Sequence, residues 1–266
     1  MSGTHHRTWQ HYHVGHLNVT VQLDSTTGGR NIEQHQNVAS VAKQLIATLE
    51  TERVPATWAV SDPAHSAATS LILNSAVEHE FAILGDSNWV GPTAGRTRFA
   101  RELVRRVTQS RAAGIDVATL VPGVASIESH IDLVVKQEIT AVAGLTNPMT
   151  RHEGIEPHAL HYGVWELPVT ATLPLPASWF GSAKRSLWRN VHRTAKEAGS
   201  FHILIDAAAI AASGQSGQSV VAWLAKRISD LRDRGMLRVE TLRATAARLS
   251  DVPAVSPQRS ILRSVA

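Results

Sequence analysis

The sequence predicts an α/β protein in which seven or eight mostly parallel strands form one sheet, closed into a distorted barrel. Strand and helix patterns alternate along most of the chain. Its 266 residues, 43% hydrophobic and 18% charged, suffice for one large domain with a substantial core. An open nucleotide-binding sheet would carry a glycine-rich phosphate-binding motif after its first strand, and this sequence has none there. A barrel is therefore favoured, with its functional residues at the carboxyl ends of the strands.

The first strand is predicted from the alternation of apolar and polar residues between Leu17 and Leu23, which places two sets of side chains on opposite faces of a sheet. Apolar residues from Val38 to Leu49 then recur at helical spacing. Similar patterns predict further strands at 56–60, 81–84, 117–121, 139–143, 164–172, 201–205 and 237–239. Helices are predicted at 64–77, around 99–107, and at 127–136, 182–198, 220–234 and 242–249, with a flexible loop at 213–219.

The predicted organisation is one domain, residues 16–250, preceded by a flexible arm, residues 1–15, and followed by a tail, residues 251–266. No window approaches the ~18 consecutive apolar residues of a membrane span. The start of the chain lacks the apolar region of a secretory leader, and the chain has no cysteine. These features predict no membrane span and a cytoplasmic location.

The formal net charge of +4 raises the question of a nucleic-acid partner. The arginines at 96–111 and 227–238 are interleaved with acidic residues on helical segments, and no aromatic RNA-binding pattern accompanies them. Solvated helix faces are predicted, without a nucleic-acid partner.

Asp24 is the first candidate functional residue. It follows the first strand and precedes a polar, glycine-containing turn, so it lies where a barrel places its chemistry. The structural alternative is that its carboxylate caps the next helix or accepts hydrogen bonds from loop amides.

The order of several segments resembles the polysaccharide deacetylases of the NodB homology type, carbohydrate esterase family four. The matching segments are Pro55–Val60, Glu78–Phe81, Leu120–Gly123 and Phe201–Asp206, and the resemblance extends over about residues 16–250. It implies a (β/α) barrel and the hydrolysis of N-acetyl or O-acetyl groups on sugars. In this family a divalent metal such as zinc is held by one aspartate and two histidines, and it activates a water molecule beside a carboxylate base.

The resemblance assigns the catalytic base to Asp24 and the general acid to Asp206. It assigns the metal-ligand positions to Ser25, Leu84 and Asn88, and a leucine cannot bind a metal. We therefore expect no metal cofactor. The expected function is that of a pseudoenzyme of carbohydrate metabolism, which binds a glycan precursor or a partner enzyme of a polysaccharide pathway.

A divergent hydrolase with a rearranged site around Asp24 and Asp206 is the alternative, because paired carboxylates can act as acid and base on glycosides. Histidines in two groups could also replace the lost metal ligands: His11, His13 and His16, and His152, His158 and His161. Asp86, Trp89 and Pro122 are the candidate substrate-binding residues. A tryptophan beside polar side chains suits sugar binding, since its ring covers the apolar face of a pyranose.

Overall fold

A computed structural model describes residues 14–24, 32–91, 93–123, 127–144, 156–173 and 180–251. Within these residues ten strands form one sheet. They are β1 (Gly15–Gln22), β2 (Thr57–Val60), β3 (Glu80–Leu84), β4 (Val117–Val121), β5 (Ala141–Gly144), β6 (His158–Ala159), β7 (Trp165–Pro168), β8 (Ala171–Leu173), β9 (Ser200–Asp206) and β10 (Leu237–Glu240). Most of the predicted arm and tail, the turn at 25–29, His152 and most of the irregular region 144–160 lie outside the described residues.

The described α-helices are α1 (Ile32–Thr51), α2 (Thr69–Leu73), α3 (Arg96–Ala112), α4 (Ile131–Val135), α5 (Phe180–Glu197), α6 (Ala207–Asp233) and α7 (Leu242–Asp251). Two single-turn 3₁₀ helices lie at Glu128–His130 and His161–Gly163. No helix of the described ranges is long and apolar enough to cross a bilayer.

The sheet confirms the predicted parallel barrel. Its strand order is β6-β7-β5-β4-β3-β2-β1-β9-β8, with β10 paired to the amino-terminal half of β1. Only β6 pairs in the antiparallel direction among the recorded pairs. The sheet curls, and the segment that follows β7 forms hydrogen bonds with a strand on each side of the gap in the barrel. The N–H of Val169 donates to the carbonyl of Gly144 in β5, and that of Thr170 donates to the carbonyl of His202 in β9.

The alternation in β1 separates two parts of the core. Leu17, Val19, Val21 and Leu23 face outward and belong to the large apolar cluster between the sheet and its helices. On the opposite face, Asn18, Thr20 and Gln22 are buried inside the barrel. A smaller apolar cluster fills the barrel interior, and its members are Ala59, Ala82, Leu84, Val121, Ala141, Ala143, Leu167, Leu242 and Ala246. Helix α7 contributes the last two residues and packs on β1, β4 and β5.

Several predicted elements differ from the structure. The helix expected at 64–77 is limited to α2, Thr69–Leu73. The expected strand 164–172 is divided into β7 and β8, because the chain crosses between sheet edges at Val169 and Thr170. The expected loop at 213–219 is wrong, since these residues continue helix α6. Gly214 marks a kink there with φ of 58° and ψ of −142°, and this backbone conformation favours glycine. The glycine-rich composition indicated an interruption of the helix, and in the structure this interruption is a kink at Gly214.

Candidate functional site at the barrel mouth

The carboxyl ends of the parallel strands bring the candidate residues to one edge of the sheet. Asp24 follows β1, Leu84 ends β3, Pro122 follows β4 and Asp206 ends β9. Strands β1 and β9 are direct neighbours, and Gln22 pairs with Asp206. The two candidate carboxylates therefore lie at the ends of adjacent strands rather than across the mouth from one another.

The carboxylate of Asp24 is bound to a loop amide. Its Oδ2 accepts a hydrogen bond of 2.6 Å from the N–H of Ser61, the residue after β2. The side-chain amide of Gln22 donates to the Asp24 carbonyl at 3.1 Å, which holds the backbone at the end of β1. Asp24 thus joins the ends of β1 and β2, which is the structural alternative expected for a carboxylate at this place.

Arg106 holds the other side of the same loop. Although it belongs to the arginine-rich helix α3, it is only 7% exposed. Its Nε donates to the Ser61 carbonyl at 2.8 Å, and its Nη1 lies 2.5 Å from Glu102 Oε2. The prediction of a solvated arginine is wrong here, because Arg106 lies on the apolar stripe of α3 with Leu103 and Val107. That spacing was visible in the sequence.

Trp89 does not form a sugar-binding surface, so this prediction is wrong. Its side chain is 1% exposed and packs against Phe99 of α3, with ring centroids 5.5 Å apart. The guanidinium of Arg106 lies 4.7 Å from the centre of the indole ring. The cause is the turn after β3, where the amides of Trp89 and Val90 both donate to the Asp86 carbonyl. This turn directs the indole into the core.

Asp86 and Asn88 form a local turn at the mouth. Asp86 Oδ1 accepts a hydrogen bond of 2.7 Å from the N–H of Asn88, whose side chain is exposed. Pro122 is buried, and its carbonyl oxygen would lie 3.0 Å from a Cβ added at Gly85. The loops after β3 and β4 therefore approach closely, and Asp86 is the more accessible of the two candidate substrate-binding residues.

Asp206 has a structural partner as well. It is the N-cap of α6, and its Oδ1 accepts a hydrogen bond of 3.0 Å from the N–H of Ala209. Both candidate catalytic carboxylates are therefore half-buried and hydrogen-bonded to backbone amides.

The residues described at the mouth do not fit the divalent metal of the family. Leu84 is completely buried in the interior apolar cluster, Asn88 is exposed on its turn, and Ser25 lies outside the described residues. Over the described ranges, no group of three or more histidine, cysteine, aspartate or glutamate side chains could hold a metal ion.

The histidines proposed as replacement ligands do not meet at the mouth in the described part of the chain. His16 lies near the start of β1, with Nδ1 3.6 Å from Glu240. His158 Nε2 lies 3.1 Å from Glu166, and His161 is exposed in a 3₁₀ helix. His11, His13 and His152 lie outside the described residues.

Two buried ionisable residues, Glu80 and His202, lie inside the barrel and hydrogen-bond to its strands. Burial raises the pKa of Glu80 above its ordinary value, although hydrogen bonds from Thr119, Arg243 and Thr57 act in the opposite direction. Burial lowers the pKa of His202 to about 4. The His202 ring bonds to Thr20 Oγ1 at 2.8 Å and to the Leu167 carbonyl at 3.0 Å.

Known proteins resemble this chain in structure but not in sequence. No model of a protein family matches the chain, and no curated protein matches it. A predicted polysaccharide deacetylase from Mycobacterium smegmatis superposes with a TM-score of 0.64 at 16% identity, over 91% of this chain and 92% of that one. The fold is that of the deacetylase barrel.

Two carbohydrate-active enzymes share this architecture. A 4-alpha-glucanotransferase from Thermococcus litoralis gives a TM-score of 0.62 at 10% identity, over 88% of this chain and 40% of that enzyme. A GH57-type branching enzyme from Pyrococcus horikoshii gives 0.58 at 9% identity, over 88% and 70% of the two chains. At these identities the likeness is one of fold.

Proposed function

We propose that this chain is a carbohydrate-binding protein of carbohydrate metabolism in the cytoplasm, with a deacetylase barrel but without metal-dependent deacetylation. The observation that carries the proposal is the chemistry of the mouth. An apolar, fully buried Leu84 occupies a position that the resemblance assigns to a metal-binding histidine. The catalytic motif is degenerate at that residue, and the two matching carboxylates bind backbone amides.

The proposed ligand is a glycan or glycan precursor, and a partner enzyme of the same pathway is a further proposed partner. Polar groups around the mouth can accept hydrogen bonds from sugar hydroxyls or donate to them. They belong to Asp24, Asp86, Asn88 and Asp206. Pro122 supplies apolar backing beneath the loops. The proposed recognition depends on polar groups because the ring of Trp89 is buried.

Zinc analysis and an acetate-release assay test the loss of activity. The protein is dialysed against zinc, and bound metal is compared with that of the Asp24→Asn, Asp206→Asn double variant. We expect the same zinc content in both, because the proposed mouth holds no metal and every histidine is common to the two proteins. We also expect no acetate release from acetylated amino-sugar oligomers. One additional zinc per wild-type chain, together with acetate release that the double variant lacks, would contradict the proposal.

Calorimetric titration with the same oligomers tests binding. Asp86→Asn keeps the oxygen that accepts from Asn88 but removes the charge, so it should weaken binding while the turn remains. Glu78→Gln, an exposed change before β3, is the matched control. Undetectable binding by the wild-type protein would exclude the tested sugars as ligands.

A divergent hydrolase is the second candidate, and the adjacency of Asp24 and Asp206 favours it. Two carboxylates at the ends of neighbouring strands could divide the roles of acid and base in glycoside hydrolysis. In that case each single variant, Asp24→Asn and Asp206→Asn, abolishes hydrolysis of a glycan substrate. Activity that survives both substitutions would refute this candidate.

A further inference from the structure

The outer face of helices α5 and α6 combines basic side chains with two tryptophans. We call it the α5–α6 basic face, and it consists of Lys184, Trp188, Arg189, Arg193, Trp223 and Arg227. Arg189 and Arg193 lie one turn apart on α5 and are both exposed, and Arg227 of α6 is exposed too. None of these residues belongs to the barrel mouth.

Helix α5 is strongly basic. Between Lys184 and Glu197 there are five basic residues and one acidic residue, so this segment alone carries a formal charge equal to the +4 of the whole chain. Within the described ranges, Lys184, Arg189, Arg193 and Lys196 take part in no ion pair. The acidic residues nearest in the two helices are Glu197, Asp230 and Asp233, and Asp233 pairs with Arg232.

Helix α3 contains six arginines, and five of them take part in ion pairs. Arg96 pairs with Asp132, Arg111 pairs with Glu138, and Glu102 contacts three further arginines. On α5, by contrast, Lys184, Arg189, Arg193 and Lys196 have no ion-pair partner among the described carboxylates, so their positive charge is available to an anionic partner.

The tryptophans fill the space between the two helices. Trp188 and Trp223 meet edge to face, with ring centroids 6.2 Å apart and planes at 72°. Lys184 Nζ lies 4.3 Å from the centre of the Trp223 ring, and the Arg227 guanidinium lies 5.4 Å from that of Trp188. Because a cation lies over each ring, these rings are not arranged as open platforms for nucleic-acid bases. The half-buried indoles leave a filled surface between the helices.

We propose that the α5–α6 basic face binds peripherally to a bilayer surface that contains anionic lipids. A cluster of basic residues on one helical face is attracted to anionic headgroups, each contributing about fivefold to the partition coefficient. Because Trp188 and Trp223 are half-buried between the helices, the basic groups rather than the indole rings carry the proposed interaction. The interaction does not depend on the proposed carbohydrate ligand.

Vesicle co-sedimentation tests the proposal with the full chain. Vesicles of phosphatidylcholine are compared with vesicles that also contain phosphatidylglycerol, and we expect binding only to the latter. The Arg189→Gln, Arg193→Gln variant should lower the partition coefficient about 30-fold, because two basic groups are lost. The Arg189→Lys, Arg193→Lys variant keeps the charge and should bind within about threefold of wild type.

The matched control is Arg98→Gln, Arg101→Gln, which removes two exposed charges from α3. It should change binding by less than about threefold. Higher salt should release the protein, since the Debye length shortens from ~10 Å at ~0.1 M to ~3 Å at ~1 M. If thermal melts show that the double glutamine variant is unfolded, Arg193→Gln alone carries the test with an expected loss of about fivefold.

Three results would overturn the proposal. The first is no binding to anionic vesicles. The second is an equal loss in the α5 and α3 variants, which would indicate a general effect of net charge. The third is binding of a labelled single-stranded oligonucleotide, but not of vesicles, that depends on Arg189 and Arg193. That result would assign the face to a nucleic acid.

Discussion

Glu80 should make the stability of the barrel depend on pH in a direction unusual for a carboxyl group. Its Oε2 accepts hydrogen bonds from Thr57 Oγ1 at 3.0 Å and from the N–H of Arg243 at 2.9 Å, and its Oε1 contacts Thr119 Oγ1. Burial is nevertheless the largest influence, and it raises the pKa of Glu80. The folded protein therefore keeps a proton that the unfolded chain releases near pH ~4.3.

The sign of the effect follows from this proton. Between the unfolded and folded pKa values of Glu80, the folded state binds more protons, so the free energy of unfolding falls as the pH rises, by at most ~1.4 kcal/mol per pH unit. His202 acts in the opposite direction because burial lowers its pKa to about 4. Its contribution of about 3 kcal/mol is complete above pH ~6.5 and is lost as the pH falls through about 4.

A comparison with Glu80→Gln isolates the carboxyl group, since His202 is common to both proteins. The glutamine oxygen can accept from Thr57 and Arg243, and its amide can donate to Thr119 Oγ1 as a protonated carboxyl would. Urea unfolding at a series of pH values should give similar stabilities near pH ~4 and an increasing advantage for Glu80→Gln above it. Glu78→Gln is the exposed control and should show no such trend.

Glu80→Ala measures the hydrogen bonds themselves. It leaves the Thr57 and Thr119 hydroxyls and the Arg243 amide without this acceptor, at about 1 kcal/mol or more for each group, so the loss should be about 3 kcal/mol or more. If the stability difference between wild type and Glu80→Gln does not change with pH, or if the glutamine variant becomes progressively less stable as the pH rises, the reasoning on Glu80 is refuted.

Four further substitutions, at three positions, test the mouth by thermal and urea unfolding. Asp24→Asn keeps an oxygen acceptor for the Ser61 amide and should leave the melting temperature nearly unchanged. Asp24→Ala removes that acceptor and should lower the free energy of unfolding by about 1–3 kcal/mol. Equal effects of the two substitutions would show that this hydrogen bond is unimportant. Arg106→Gln should destabilise by about 2 kcal/mol because the Ser61 carbonyl loses its side-chain donor and Glu102 loses one of its arginine partners. An unchanged melt would contradict that role. Leu84→His should cost about 3 kcal/mol and bind no additional zinc, and stoichiometric zinc in this variant would refute the metal argument.

The fold was predictable because local signals agreed with the tertiary arrangement. The alternation from Leu17 to Leu23 gave the central strand, and it separates the barrel interior from the helical layer. The division of residues 164–172 was missed because it depends on hydrogen bonds from Val169 to β5 and from Thr170 to β9, which the sequence does not contain as a pattern.

The site was less predictable because its contacts join distant residues. Asp24 binds Ser61, Ser61 binds Arg106, and Arg106 packs over Trp89, so four elements of the chain meet in one cluster. Only the position of Arg106 on the apolar stripe of α3 signalled part of this arrangement. Trp89 was mistaken for a rim residue because the sequence does not show that the Asp86 turn directs its ring inward.

The burial of Leu84 bears on whether this barrel could support the metal chemistry that the resemblance implies. Leu84 packs in the interior cluster with small side chains such as Ala59, Ala82 and Ala143, and helix α7 closes that cluster with Leu242. An imidazole at this place would lie among apolar side chains and would lose its hydration without gaining a partner. A metal could offset that cost only with further ligands, and over the described ranges no such group is assembled. A single histidine at this position would therefore destabilise the barrel without assembling a metal site.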